Sequence, residues 1–107
     1  MKLGKVKKII VVTASYDPLR KGILRLVENI AKEKNLEVEV KEEDWVFLMR
    51  YGEKDELGGA SIPQVFLEYE DGTIKHVLTR LPLDERGRTD KERARQIILE
   101  AIEKGIE

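Results

Sequence analysis

The side chains whose types and spacing point most directly to a site lie within six positions of one another: Ser15, Tyr16, Asp17 and Arg20. They precede an apolar helical pattern, so the positive end of a helix would hold their hydroxyl, carboxylate and guanidinium groups together. The spacing of Asp17 and Arg20 allows an ion pair across one helical turn. Alternatively, Asp17 is the N-cap and accepts from free N–H groups of the first turn. Both interpretations stay open at this point.

The composition limits the chemistry that such a site can perform. The 107 residues include no cysteine and a single histidine, His76, which excludes disulfides, thiolate metal sites and cysteine nucleophiles. Ser15 would need an oriented base to act as a nucleophile, and His76 lies far away in a predicted hairpin. We therefore expect no enzyme activity, no metal and no cofactor, and a structural role for His76 on one strand face with Ile74 and Leu78.

Charge and hydropathy indicate which partners to expect. Twenty basic and twenty-one acidic residues leave a net charge of −1, and carboxylates interleave with the arginines of residues 84–95, so nucleic acid is not favoured. The apolar run over residues 9–14 is too short to cross a bilayer, and the basic N-terminus lacks the apolar stretch of a secretory signal. We expect a cytoplasmic protein with no membrane partner. Abundant Lys, Glu and Arg without cysteine are typical of a hyperthermophile source.

Apolar periodicity and turn residues predict seven elements in the order βαβαββα. They are a buried strand over 8–14, a helix from Asp17-Pro18 to about Lys34, a strand over 36–40, a short helix that contains Trp45, two strands over 64–69 and 73–79, and a helix after a Thr89/Glu92 capping box. Asp71-Gly72 is a strong hairpin signal between the last two strands. We predict a single α/β domain over residues 1–107, with its core at about 8–104, built as a mixed four-stranded sheet with helices on both faces.

This order, with a proline directly before the third strand, resembles the minimal thioredoxin or glutaredoxin fold over nearly the whole chain. Ser61-Ile62-Pro63 is similar to the family segment in which a cis-proline opens the strand that faces the active site. The resemblance therefore implies a cis bond between Ile62 and Pro63. Residues 79–83 stand where glutaredoxins have the glycine pair that helps to hold glutathione, so glutathione binding is not implied.

The loop before the first helix lies where the family has its W-C-x-x-C-K motif. If Tyr16 matches the tryptophan and Lys21 the lysine, the two cysteine positions become Asp17 and Arg20. A shift of one residue puts Tyr16 and Leu19 there instead. Either register leaves no sulfur, so the resemblance implies a redox-inactive domain that is not a dithiol oxidoreductase.

The leading functional hypothesis is a module that binds a protein or an extended peptide between the two loops. In the thioredoxin family, a bound peptide pairs its backbone with the residue before the cis-proline, here Ile62, and this mode needs no cysteine. The candidate groove residues are Ser15, Tyr16, Asp17, Arg20, Ser61, Ile62 and Pro63. We expect a partly exposed Tyr16 ring, and we expect Trp45 and Phe47 to pack in the core.

Two other hypotheses belong to different classes. A small anionic ligand, or the substrate of a non-redox enzyme, would bind at the N-terminus of the first helix with Ser15, Tyr16 and Arg20 as contacts. A homodimer would form through an exposed strand of the hairpin. The fold does not decide among the three hypotheses, because sites rather than folds carry function.

Overall fold

A computed structural model describes residues 4–104 of the chain. The elements have the predicted order and are β1 (Val6–Thr13), α1 (Arg20–Lys34), β2 (Glu37–Glu42), α2 (Trp45–Tyr51), β3 (Gln64–Tyr69), β4 (Ile74–Thr79) and α3 (Lys91–Lys104). Residues 1–3 and 105–107, which the predicted domain includes, lie outside the described part.

The strands form one mixed sheet in the order β2-β1-β3-β4. β1 runs parallel to β2, as a connection through α1 requires, and antiparallel to β3, while β3 and β4 form an antiparallel hairpin. β1 is a central strand, and residues 9–13 within it are fully buried. A β-branched apolar run suits a strand that is covered on both faces. The predicted mixed four-stranded sheet is confirmed.

Successive side chains of β1 enter two apolar clusters on opposite faces of the sheet. Ile9 and Val11 pack with residues of α1 and α3, whereas Ile10 and Val12 pack with Leu48 of α2. Burial of each such aliphatic side chain contributes about 1.5–3 kcal/mol to stability. Helices therefore cover both faces of the sheet, as predicted.

The start of α3 differs by one residue from the predicted capping box of Thr89 and Glu92. Asp90 is the cap instead, because its Oδ1 accepts the N–H of Arg93 at 3.0 Å. Thr89 forms an isolated antiparallel bridge with Leu83. The extended pairing of Thr89 keeps it out of the helix terminus, and the next residue with a side-chain acceptor takes the capping role.

The hairpin turn lies at Asp71-Gly72, where the sequence predicts it. Gly72 has a φ of 92°, a left-handed conformation that glycine adopts without a steric penalty. The Asp71 carboxylate accepts the N–H of Thr73 at 2.8 Å, and this bond lowers the pKa of Asp71 below its ordinary value.

A β-bulge in the hairpin separates His76 from Leu78. Phe66 pairs with His76, and the preceding residue of β3 pairs with Leu78, so β4 carries Val77 as an extra residue. Val77 and Leu78 pack with α1 and α3, whereas the His76 ring stands edge-on to Phe66 with centroids 5.6 Å apart, on the face where Ile74 packs. The predicted common face is correct for Ile74 and wrong for Leu78, because the bulge resets the alternation.

The partial burial of His76 makes stability depend on pH. Desolvation lowers the pKa of His76, with a smaller opposing effect from the Glu53 charge. The unfolded state therefore binds the proton at higher pH, so the free energy of unfolding should fall as the pH drops below about 6.5. Urea denaturation followed by circular dichroism at about pH 7.5 and about pH 5.5 measures this difference. The side chain of His76→Gln cannot titrate, so this variant should not show the difference. An equal loss of stability at the lower pH in the wild type and the variant would contradict the expectation.

Candidate functional site

A groove of about 300 Å³ opens where β1 ends and β3 begins. Four segments that are distant in the sequence form its walls: the loop between β1 and α1, the first residue of α2, the segment before β3, and the residue after β4. The lining residues are Tyr16, Asp17, Pro18, Leu19, Trp45, Ala60, Ser61, Ile62 and Arg80.

The structure brings the two predicted loops together, but only part of each loop lines the groove. Tyr16 and Asp17 of the first loop face Ser61 and Ile62 of the second across it. The other three predicted residues do not line it: Ser15 is exposed, Pro63 is buried, and Arg20 pairs with Glu42. The Ile62-Pro63 peptide bond is cis, as the sequence resemblance implies.

Asp17 is a buried structural carboxylate of the first loop, with 8% of its surface exposed. Its Oδ2 accepts the hydroxyl proton of Thr13 at 2.6 Å, and its Oδ1 accepts the N–H of Leu19 at 2.9 Å. This second bond forms an Asx turn that holds residues 17–19 outside the helix. α1 consequently begins at Arg20, with Leu19 as an N-cap that makes no side-chain bond. The prediction that Asp17 itself is the helix N-cap is wrong by two residues.

Arg20 pairs with Glu42 of β2 and not with Asp17. Its Nη1 donates to Glu42 Oε1 at 2.7 Å, and its Nη2 donates to Glu42 Oε2. The guanidinium lowers the pKa of the Glu42 carboxyl below its ordinary value. The predicted Asp17–Arg20 pair is wrong because the neighbouring strand supplies a bidentate partner, whereas both oxygens of Asp17 already accept hydrogen bonds.

Two exposed aromatic rings line the groove. Tyr16 is 65% exposed, as predicted, and Trp45 is 42% exposed. The expected core position is therefore wrong for Trp45. Phe47 is half-buried and stands edge-on to Phe66 with ring centroids 5.0 Å apart. α2 has only seven residues and therefore covers little of the sheet. Its residues Phe47 and Leu48 pack against the sheet, whereas Trp45 lies at the groove.

Gln64 positions the segment that carries Ser61 and Ile62. It is fully buried; its Oε1 accepts the N–H of Glu53 at 2.9 Å, and its Nε2 donates to the carbonyls of Glu53 at 3.1 Å and Ser61 at 2.9 Å. An amide with both ends bonded to backbone fixes a loop that has no regular structure of its own. Sequence reasoning missed this role, and the signal was a polar residue at the head of an apolar strand.

Arg80 is a second lining residue that sequence reasoning did not place. It follows β4, is exposed, and has a φ of 59°. Its N–H donates to the carbonyl of Pro63 at 2.7 Å, and this bond joins the end of β4 to the segment that precedes β3. No local sequence signal marks a left-handed arginine.

Two arginines of the basic segment over residues 84–95 pair with carboxylates. Asp84 accepts the backbone N–H groups of Arg86 and Arg88, each at 2.9 Å. Its Oδ2 also lies 3.8 Å from Arg88 Nε, and Arg95 forms an ion pair with Glu33 of α1. The guanidinium of Arg95 lowers the pKa of Glu33. Arg88 and Arg95 thus have carboxylate partners, and a solvated loop and helix start remains the prediction for this segment.

Within residues 4–104, no group of three or more His, Asp or Glu side chains lies close enough to hold a metal ion. In the same part of the chain, no helix has both the length and the apolar character needed to span a membrane. Comparison of the chain with protein-family models, with curated proteins and with solved structures finds no match.

Proposed function

We propose that the chain is a redox-inactive domain of thioredoxin-like topology that binds an extended peptide or protein segment in the groove. The element order and the mixed sheet support the topology. The absence of cysteine supports a role without dithiol exchange, because such exchange requires a thiolate.

The observation that carries the proposal is the combination of exposed aromatic rings with an unpaired backbone position in the same groove. Tyr16 and Trp45 present apolar surface to solvent in the groove. Ile62 also lines the groove, and the turn and loop hydrogen bonds of residues 4–104 include none to its N–H or its carbonyl. A peptide strand would bond to this backbone and pack its side chains on the rings, which is the physics of β-strand addition.

The same geometry argues against a small anionic ligand at the N-terminus of α1. The Asp17 carboxylate occupies the position beside the first turn and accepts the Leu19 N–H. Arg20, which the anion would need, is paired with Glu42. An anion would therefore meet a negative charge and a neutralised guanidinium.

Selection from a library of short random peptides tests the proposal. Trp45 is the chain's single tryptophan and lines the groove, so its fluorescence reports occupancy. We expect wild-type protein to enrich peptides that change this fluorescence on titration. Tyr16→Ala should bind them about tenfold more weakly, because truncating an interface tyrosine commonly costs more than about 1 kcal/mol.

Val46→Ala is the matched control, since Val46 is 79% exposed on α2 but does not line the groove. It should bind as wild type does. Failure to enrich any peptide, or equal weakening in the two variants, would contradict the proposed function. A thermal shift with inorganic phosphate and none with peptides would favour the anionic-ligand hypothesis.

A further inference from the structure

The two charged residues of the groove differ in their availability to a ligand. Asp17 is largely buried, and both of its carboxylate oxygens already accept hydrogen bonds. Arg80 is exposed, and none of the ion pairs and side-chain hydrogen bonds found within residues 4–104 includes its guanidinium. The remaining lining residues are uncharged. The groove therefore combines apolar walls with one accessible cation.

The backbone of Arg80 is held in place beside the segment that would pair with a peptide. Its φ of 59° lies in the left-handed region, which is less favourable for a residue with a Cβ than for glycine. The bond from its N–H to the Pro63 carbonyl fixes it next to Ile62. Non-glycine residues in this conformation cluster at ligand-binding and active sites, where surrounding structure maintains them.

We propose that Arg80 makes the groove selective for an extended peptide that carries an aspartate or glutamate beside an aromatic or aliphatic residue. This inference rests on the proposed function. A guanidinium presents a planar fork of N–H donors that matches a carboxylate, and the pair is stronger than a hydrogen bond between neutral groups. Tyr16 and Trp45 would contact the apolar neighbour, and Arg80 would bind the acid.

Selection from a peptide library blocked at both ends tests the specificity, because blocked peptides have no terminal carboxylate. We expect wild-type protein to enrich Asp and Glu over Asn and Gln at one position by about tenfold, the factor that corresponds to a modest charged hydrogen bond. Arg80→Gln should lose this preference while still selecting the apolar position. Arg80→Glu should prefer Lys and Arg at the same position.

Arg86→Gln is the matched control, since Arg86 is an exposed loop arginine that does not line the groove, and it should retain the acidic preference. Circular dichroism verifies that every variant is folded. Peptides that depend on Tyr16 but show no acidic position, or an acidic preference that survives Arg80→Gln, overturn this inference and leave the proposed function standing. Failure of the wild type to enrich any peptide overturns both.

Discussion

Gln64→Leu is expected to lower the free energy of unfolding by about 2–4 kcal/mol and to weaken peptide binding in the groove. Leucine has nearly the volume of glutamine but offers no donor or acceptor. It would leave the Glu53 N–H and the carbonyls of Glu53 and Ser61 without their partners. Unsatisfied backbone groups must then reach water, so the segment over residues 53–61 would separate from the start of β3.

Urea denaturation measures the stability, and amide hydrogen exchange shows where it is lost. We expect faster exchange over residues 53–62 and little change in α3. Gln96→Leu is the matched control, because Gln96 is exposed on α3, and its effect should stay within about 0.5 kcal/mol. If Gln64→Leu unfolds at the same urea concentration as wild type, Gln64 does not anchor the segment.

Gly52 indicates how closely this anchor is packed. A Cβ at position 52 would lie 2.7 Å from the Leu48 carbonyl oxygen and 2.9 Å from Gln64 Oε1. Both distances are shorter than the contact that carbon and oxygen atoms tolerate. The end of α2 and the Gln64 amide can therefore adjoin only because residue 52 lacks a side chain.

The sequence predicts the architecture well because the architecture depends on short-range patterns. The apolar run that ends in Ala14, the helical spacing from Ile23 to Ile30 and the Asp71-Gly72 turn each depend on residues that are close in the chain. Such patterns specify the type of an element and the face it buries. Their consequence, a mixed sheet between helices, follows from the rules for connecting elements.

The contacts of the candidate site are less predictable because residues distant in sequence decide them. Arg20 binds Glu42, which lies in the next strand. Thr13 donates its hydroxyl proton to Asp17, and Asp17 does not cap the helix. A pattern along the chain shows which polar groups are near one another in sequence. Which of several possible groups becomes the hydrogen-bond or ion-pair partner depends on how the elements pack. For the same reason, the sequence predicts a core position for Trp45, whereas α2 leaves it exposed at the groove.

The β-bulge at Val77 illustrates a second limit of prediction from the sequence. One extra residue moves every later side chain of a strand to the opposite face. The run from Ile74 to Leu78 contains no glycine or proline that would mark the irregularity. The sequence therefore predicts correctly that His76 shares a sheet face with Ile74, but it does not show that Leu78 lies on the opposite face.

Asp17→Ala is expected to lower the free energy of unfolding by about 1–3 kcal/mol, because it removes the acceptor of two buried or half-buried donors. The Thr13 hydroxyl is fully buried and would lose its partner, and the Leu19 N–H would lose the bond that shapes the turn before α1. The loop should become more mobile, and the wall formed by Tyr16 should lose its position. Urea denaturation and hydrogen exchange over residues 15–20 measure these effects.

Asp71→Ala provides the matched control, because the exposed Asp71 also accepts the N–H two residues later, at 2.8 Å. Its loss should lower the free energy of unfolding much less than the loss of Asp17 does, since water replaces the acceptor there. Thr13→Val removes the buried donor, so the double variant Thr13→Val, Asp17→Ala should lose less than the sum of the single losses. Additive losses would show that Thr13 and Asp17 do not stabilise each other.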